Sequence, residues 1–277
     1  MTGTIIKNIS NDYTVDVNGK LYTCKPCGKF RIKKLTPLVG DIVDIDEKNN
    51  YLINIHKRKN ELIRPSIANI DVAVIVTSVH PKLDTTLLDK TLTIISYNNI
   101  IPIIYLTKID LLSSIEKNKI KDIITYYQKI GYLVSTTPVD LTNLIKGKKV
   151  VFTGQSGAGK STLLNKISPN LKLKTNEISL ALGRGKHTTR HTEFYKVNNT
   201  LIADTPGFSK IDLHNMSKID IRDNMKEMFE HLDKCKYKDC LHINEDNCYI
   251  KELLENNEIL PSRYQNYKNF INGDKYD

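Results

Sequence analysis

The run Lys149-Val150-Val151-Phe152-Thr153-Gly154-Gln155-Ser156-Gly157-Ala158-Gly159-Lys160-Ser161-Thr162-Leu163-Leu164 joins an apolar strand to the opening of a helix through a glycine-rich octet, Gly154 to Ser161. Strand, loop and helix in that order is the setting in which such an octet cradles phosphate. Gly154, Gly157 and Gly159 permit backbone torsions that aim successive N–H groups, those of Gln155, Ser156 and Ala158 among them, at phosphate oxygens. The helix N-terminus adds a favourable dipole. Lys160 is placed to bridge the β- and γ-phosphates, and the Ser161 hydroxyl to hold Mg²⁺. Thr162, one residue into the helix, is placed for the α-phosphate. The segment predicts an α/β phosphate-loop domain.

Working outward toward the C-terminus, Asp204-Thr205-Pro206-Gly207 follows the apolar strand Leu201-Ile202-Ala203. An Asp at a strand end reaches the Mg²⁺ shell, and the Gly207 N–H reaches the γ-phosphate. The same four residues also make an ordinary turn, and it is their place downstream of a phosphate loop that favours the functional reading. Between the two lies Gly183-Arg184-Gly185-Lys186-His187-Thr188-Thr189-Arg190. A threonine hydroxyl here, Thr189 rather than Thr188, completes the Mg²⁺ shell and orders a switch loop. A mobile basic loop that touches RNA is the other reading, and the two are compatible.

Toward the N-terminus, Thr107-Lys108-Ile109-Asp110 follows the strand Ile103 to Leu106. The Asp110 carboxylate can accept hydrogen bonds from guanine N1 and N2. Adenine lacks that donor pair, so this residue selects GTP over ATP. The Lys108 stem packs over the base. Ser135-Thr136-Thr137, after Tyr132-Leu133-Val134, is a weaker companion that offers a backbone N–H to guanine O6. In most GTP-binding domains the base-reading segment follows the phosphate loop; here it precedes it. The parts are circularly permuted.

The chain divides into three expected segments. Residues 1–66 carry short alternating runs, Tyr13 to Val17, Leu21 to Cys24, Asp41 to Ile45 and Tyr51 to Ile55, separated by turn residues such as Asn18-Gly19. About five strands in this length predict an OB-like β-barrel. Arg31, Lys33, Lys34, Lys57, Arg58 and Lys59 would supply phosphate contacts to RNA; a protein-docking module is the alternative. Residues 67–212 alternate buried strands such as Val72 to Val76 with helical stretches such as Ile115 to Ile130, the pattern of an α/β domain. Glu193 to Val197 and Thr200 to Ala203 flank Asn198-Asn199 as a β-hairpin. Residues 213–277 show no strand signal, helical patterns at Ile221 to Leu232 and Lys251 to Asn256, and few large apolar residues.

Cys235-x4-Cys240-x-His242-x5-Cys248 sets three thiols and one imidazole within 14 residues. That is a closed tetrahedral set for one structural Zn²⁺, with no position left for water. It would hold the C-terminal segment together. Cys24-x2-Cys27 offers half a site and reads as ordinary small residues of the barrel. Five cysteines so placed make no disulfide scaffold.

The net charge of +10 is uneven. Residues 1–65 hold 12 basic and 7 acidic side chains and residues 66–210 hold 19 and 10, whereas residues 211–277 hold 10 and 14. A polyanion would meet the first two thirds of the chain, although lysine-rich surfaces also serve solubility alone. No stretch approaches the roughly 18 apolar residues of a membrane span, and Met1 to Lys7 has no signal-peptide pattern. The expectation is a cytoplasmic monomer with no membrane partner.

Barrel, permuted phosphate-loop domain and Cys-x4-Cys-x-His-x5-Cys segment together resemble the ribosome small-subunit-dependent GTPase A family, over nearly the whole chain. The resemblance implies slow hydrolysis of GTP to GDP, stimulated by the small ribosomal subunit, a role in late maturation of that subunit, and contacts with ribosomal RNA. Thr107 stands where the family has Asn, which bears on how this segment ties to the phosphate loop and not on base selection by Asp110. Many GTPases place Gln after the Gly of Asp-x-x-Gly to orient water; Phe208 stands there and cannot hydrogen-bond. The expectation is a slow intrinsic rate, with Lys160 and Thr189 serving catalysis and the missing group supplied by His187 or the partner. A phosphate-loop ATPase or kinase is the competing enzyme class, opposed by Asp110. An RNA-binding protein with a vestigial nucleotide site is the non-enzymatic one, opposed by the intact Lys160, Ser161 and Asp204.

Overall fold

The computed structural model describes residues 1–32, 34–62, 66–169, 193–204 and 213–273. In chain order the elements are β1 (Thr2–Ile9), β2 (Asp12–Val17), β3 (Lys20–Pro26), α1 (Lys29–Ile32), β4 (Ile42–Asp46), β5 (Tyr51–Ile55), β6 (Glu61–Leu62), β7 (Ile67–Ala68) and β8 (Val72–Ser78). They continue with α2 (Thr85–Tyr97), β9 (Ile101–Thr107), α3 (Ser114–Lys129), β10 (Leu133–Ser135), α4 (Pro138–Ile145), β11 (Lys149–Thr153), α5 (Lys160–Ile167), β12 (Glu193–Val197) and β13 (Thr200–Asp204). The remainder is helical: α6 (Lys218–Asp223), α7 (Lys226–Glu230), α8 (Tyr249–Glu255) and α9 (Pro261–Asn272). No described helix is long and apolar enough to cross a membrane.

The described residues form two compact units. The first takes residues 1–74, 98–100 and 137–204. Its barrel is β1 to β5, closed where β1 pairs with both β2 and β4. Alternation points Ile5, Tyr13, Val15, Cys24, Val43, Ile45 and Leu52 inward, each at most 2% exposed. Cys24 is thus a core residue and Cys27 a half-buried one, both with free thiols. β1 also pairs antiparallel with β12 through Lys7 and Glu193, which form a 2.8 Å ion pair. The barrel therefore continues into the hairpin β12–β13, which turns at Asn198 with φ 54°. β11 lies parallel to β13. Gly40 permits the barrel's closest approach. Its φ is +96°, and a Cβ there would stand 2.0 Å from the Ala68 carbonyl oxygen.

The second unit takes residues 75–97, 101–136 and 213–273. β9 and β10 pair in parallel, Ser135 opposite Tyr105. α3 starts at a capping box in which the Ser113 Oγ accepts from the Glu116 N–H and the Glu116 carboxylate accepts from the Ser113 N–H. α6 repeats the device with Ser217 and Asp220. Leu88, Leu92 and Ile95 make the buried face of α2.

The C-terminal helices contain more apolar packing than their composition suggested. Ile221, Met225, Met228, Ile250, Leu253, Ile259, Tyr267, Phe270 and Ile271 form one buried cluster with Cys240 and Cys248. The expectation of a segment short of large apolar residues is corrected: twelve of its residues are buried together and seven more pack partly against them. α9 adds a buried charge. Arg263 is fully enclosed and donates to both Glu227 oxygens, Nε–Oε1 2.7 Å and Nη2–Oε2 3.2 Å, and through Nη1 to Asp89 Oδ1 at 2.5 Å. The Tyr126 and Tyr127 hydroxyls donate to Glu227 and Asp89, and Asn266 Nδ2 donates to Asp89 Oδ2 at 2.7 Å. Burial pushes the Asp89 carboxyl up against the pull of Arg263. Burial pushes Glu227 the same way, but the guanidinium it binds through two bonds holds it below its ordinary range. Satisfying every oxygen in this way is what makes buried charge tolerable.

Candidate functional site

β11 carries the chain to Thr153, 3% exposed, and the octet begins where the strand ends. Gly154, Gly157 and Gly159 take φ of 143°, 77° and 94°, which L side chains rarely adopt. The Ala158 N–H turns back to the Gln155 carbonyl at 3.2 Å. Gly159 is the N-cap of α5 and brings no side-chain cap, so the first helical N–H groups face the loop with their dipole unneutralised. Lys160 folds over this cradle and donates to the carbonyls of Gly154 at 2.6 Å and Gln155 at 3.1 Å. Burial lowers its pKa. The ammonium is held beside the loop by weak neutral acceptors, which an anionic oxygen would outcompete. Ser161 is half-buried and Thr162 exposed at the start of α5.

Asp204 ends β13 beside β11, and the parallel register Lys149–Leu201 and Val150–Ile202 makes the octet and Asp204 leave the same end of two adjacent strands. In open α/β sheets ligands bind outside the carboxyl ends of the strands. The switch residues His187 and Thr189, together with Gly207 and Phe208, lie outside the described residues.

The two segments expected to read the base repeat this arrangement in the second unit. β9 ends at Thr107, whose Oγ1 donates to the Thr77 carbonyl at 3.3 Å. Lys108 then takes the left-handed conformation, φ 62°, and a 3₁₀ turn runs from Ile109 to Leu111. Its Leu111 N–H bonds the Lys108 carbonyl at 3.2 Å. The turn leaves Asp110 exposed. Ser135 ends β10 and is 4% exposed, with Thr136 exposed after it. Both segments therefore leave the carboxyl ends of neighbouring parallel strands.

The cysteine cluster forms as its spacing predicts. One ligand atom from each of Cys235, Cys240, His242 and Cys248 lies within 4.8 Å of the others, so the four could hold a metal ion. His242 Nδ1 stands 3.5 Å from Cys235 Sγ and 3.3 Å from Cys248 Sγ. Tetrahedral zinc bonds of standard length set sulfur and nitrogen about 3.5 Å apart, so the donor set fits that ion. The imidazole's other nitrogen, Nε2, faces the Met228 carbonyl at 3.0 Å, which fixes Nδ1 as the metal-facing atom. Around the ligands, Tyr264 and Tyr267 donate to the carbonyls of His242 and Leu241 at 2.7 and 2.6 Å. The Glu245 carboxylate accepts from the N–H groups of Leu241, Ile243 and Asn244. Burial pushes the Cys240 thiol up to about 12 and lowers the His242 imidazole; a cation at the centre reverses the first and needs the second.

Sequence reasoning found the four residues that the structure brings together and missed what supports them. Glu245, Tyr264 and Tyr267 carry no motif. The one available signal was the carboxylate pair Glu245-Asp246 between His242 and Cys248, of which Glu245 caps the loop.

Known proteins share this architecture. The RsgA GTPase family model matches residues 55–214 and the RsgA N-terminal domain model matches residues 2–52. A relative from Oceanobacillus iheyensis, described as small ribosomal subunit biogenesis GTPase RsgA 2, is 45% identical over 280 residues, covering 97% of this chain and 96% of its own. The crystal structure of YloQ, described as a circularly permuted GTPase, superimposes with a TM-score of 0.84 at 36% identity, covering 100% of this chain and 96% of that one. YjeQ from Thermotoga maritima gives 0.83 at 32% identity, covering 99% of each chain.

Proposed function

The chain belongs to the RsgA GTPase family, and from that premise we propose that it hydrolyses GTP on the small ribosomal subunit during late maturation, at a rate the subunit raises. The observation that carries this reading is the placement of two motif pairs. The octet and Asp204 leave one pair of parallel strands at their carboxyl ends, and Thr107–Asp110 and Ser135–Thr136 leave another.

In this reading the backbone from Gly154 to Gly159, with Lys160 and Thr162, holds the phosphates. Asp110 selects guanine, aided by Thr107, Lys108 and Ile109, while Ser135 and Thr136 flank the base. Ser161, Thr189 and Asp204 would hold the Mg²⁺ that accompanies GTP, which would supply neutralisation of phosphate charge. Gly207 meets the γ-phosphate. Lys160 leaves its loop carbonyls for phosphate oxygens and stabilises charge that grows on them in the transition state. Phe208 cannot orient water, so His187 or a group of the subunit does. Cys235, Cys240, His242 and Cys248 would hold Zn²⁺ in a structural role, as a set of four protein donors that leaves no place for water. The barrel and the basic first two thirds of the chain meet ribosomal RNA, and the protein acts as a monomer in the cytoplasm.

The test is GTP turnover by the purified protein, alone and with purified small subunits, with ATP as control. A slow GTP-specific rate that rises about ten-fold or more with subunits is expected. Turnover indifferent to subunits would refute the assigned partner and leave the nucleotide site standing.

A further inference from the structure

On the barrel, a cavity of about 680 Å³ opens between the β1–β2 turn, the end of β3, α1 and the start of β5. Three cations line it, Lys25, Arg31 and Lys34, against one acid, Asp12. Lys7, Lys20, Arg58 and Lys59 of the same segment are spent on carboxylates. Lys25, Arg31 and Lys34 make no ion pair with a described residue and are exposed. Flat side chains line it as well. Phe30 and Pro37 are buried against the barrel, and Tyr51 stands 44% exposed at the strand edge.

Lys34 occupies a position where glycine is the cheaper residue. α1 ends in a pair of bonds, Leu35 N–H to the Phe30 carbonyl at 2.9 Å and Lys34 N–H to the Arg31 carbonyl at 3.1 Å. That geometry requires a left-handed residue, and Lys34 supplies it with φ 51°. The chain accepts a strained lysine there, and the result is a cation on the cavity. Beside the lining residue Tyr13, its register partner Asn8 keeps a buried Oδ1 with no hydrogen-bond partner among the described residues.

We propose that this cavity takes a single unpaired nucleotide of an RNA strand, its base against the Tyr51–Pro37 side and its flanking phosphates on Lys25, Arg31 and Lys34. The proposal rests on the reading that the barrel meets ribosomal RNA, and adds that it selects an unstacked nucleotide over duplex. Unpaired bases are read by aromatic plates, and a phosphate track beside such plates is the common means of holding single strands. The cavity falls in the size range of sites that enclose a small ligand. A duplex keeps its bases stacked and could offer the cations its phosphates alone.

The test uses the full chain and a single-stranded RNA pentanucleotide with 2-aminopurine at its centre, whose fluorescence falls on stacking. The same strand in duplex form is the comparison. The expected result is quenching with the single strand. Arg31→Ala with Lys34→Gly weakens that binding about ten-fold or more and weakens duplex binding, which uses the phosphates alone, by a smaller factor. Lys34→Gly suits the backbone it enters, and GDP affinity, unchanged in each variant, reports an intact fold. Tyr51→Leu abolishes the quenching. Equal loss of single-strand and duplex binding would overturn the proposal and leave a general phosphate-facing surface. Equally tight binding of free 2-aminopurine riboside monophosphate would overturn it in favour of a free-nucleotide site. Co-sedimentation with small subunits separates the two readings: a protein that sediments with subunits but does not quench the strand loses the cavity and keeps the proposed function.

Discussion

Consecutive residues build the phosphate loop, whereas the Arg263 network draws its members from α2, α3, α7 and α9. The loop works through backbone N–H groups and glycine torsions, with one ammonium on neutral carbonyls. The network works through side chains far apart in sequence, enclosed and bonded at every oxygen. The metal cluster stands between these extremes, local in its ligands and long-range in its supports, since Tyr264 and Tyr267 reach it from α9. The difference teaches that in this GTPase the phosphate loop contributes little packing, whereas the Arg263 network packs and carries no motif. Activity and stability should therefore respond to different substitutions.

The largest expected effect is on the cluster. Chelation of Zn²⁺, or Cys240→Ser, removes a binding energy that is on the order of 10 kcal/mol for closed zinc sites. Far-ultraviolet circular dichroism should record lost helix while GDP affinity persists. A parallel fall in GDP affinity would break the separation of the two regions. Next comes Arg263→Ala, which leaves Asp89 and Glu227 buried without their cation and should cost about 3–5 kcal/mol in denaturant unfolding. A loss under about 1 kcal/mol would mean that water replaces the guanidinium and that the network is ornamental to the fold. Lys160→Ala should lower GTP turnover about a hundred-fold or more with an unchanged unfolding midpoint, because its partners are only loop carbonyls. A large fall in stability would show that the ammonium also holds the loop together.

The smallest effect is a pH dependence. Burial raises the Glu245 carboxyl, but N–H groups of Leu241, Ile243 and Asn244 outweigh it and hold the group below its ordinary range. A depressed carboxylate stabilises the fold fully above its unfolded pKa, about 4.3, and that contribution is lost as pH falls through the folded value. Glu245→Gln should flatten the acid side of the stability profile of the C-terminal helices. An identical profile would assign the ligand loop's order to the metal alone.

Some elements were readable because their causes are local. The apolar runs of β9 and β11 and the hairpin at Asn198 follow from neighbouring residues, as do the glycines of the octet. Other features were not. β1 hides in an N-terminal stretch whose partners are β2, β4 and β12. α9 has a polar, tyrosine-rich sequence in which a buried arginine looks like a surface one. The C-terminal apolar core is hard to see in the sequence because its members are spread over several short helices and meet only when those are packed.

The sequence alone determined the glycine octet, the Thr107–Asp110 segment and the cysteine–histidine cluster, and their permuted order. Torsional freedom, strand periodicity and ligand spacing are properties of short segments, and they survive in any fold that accommodates them. Only the tertiary structure decided that the barrel's first strand continues into the β12–β13 hairpin, that Arg263 is enclosed by two carboxylates, and that three barrel cations share one cavity. Those facts depend on residues brought together across long loops, where burial and pairing rather than local propensity set the energy.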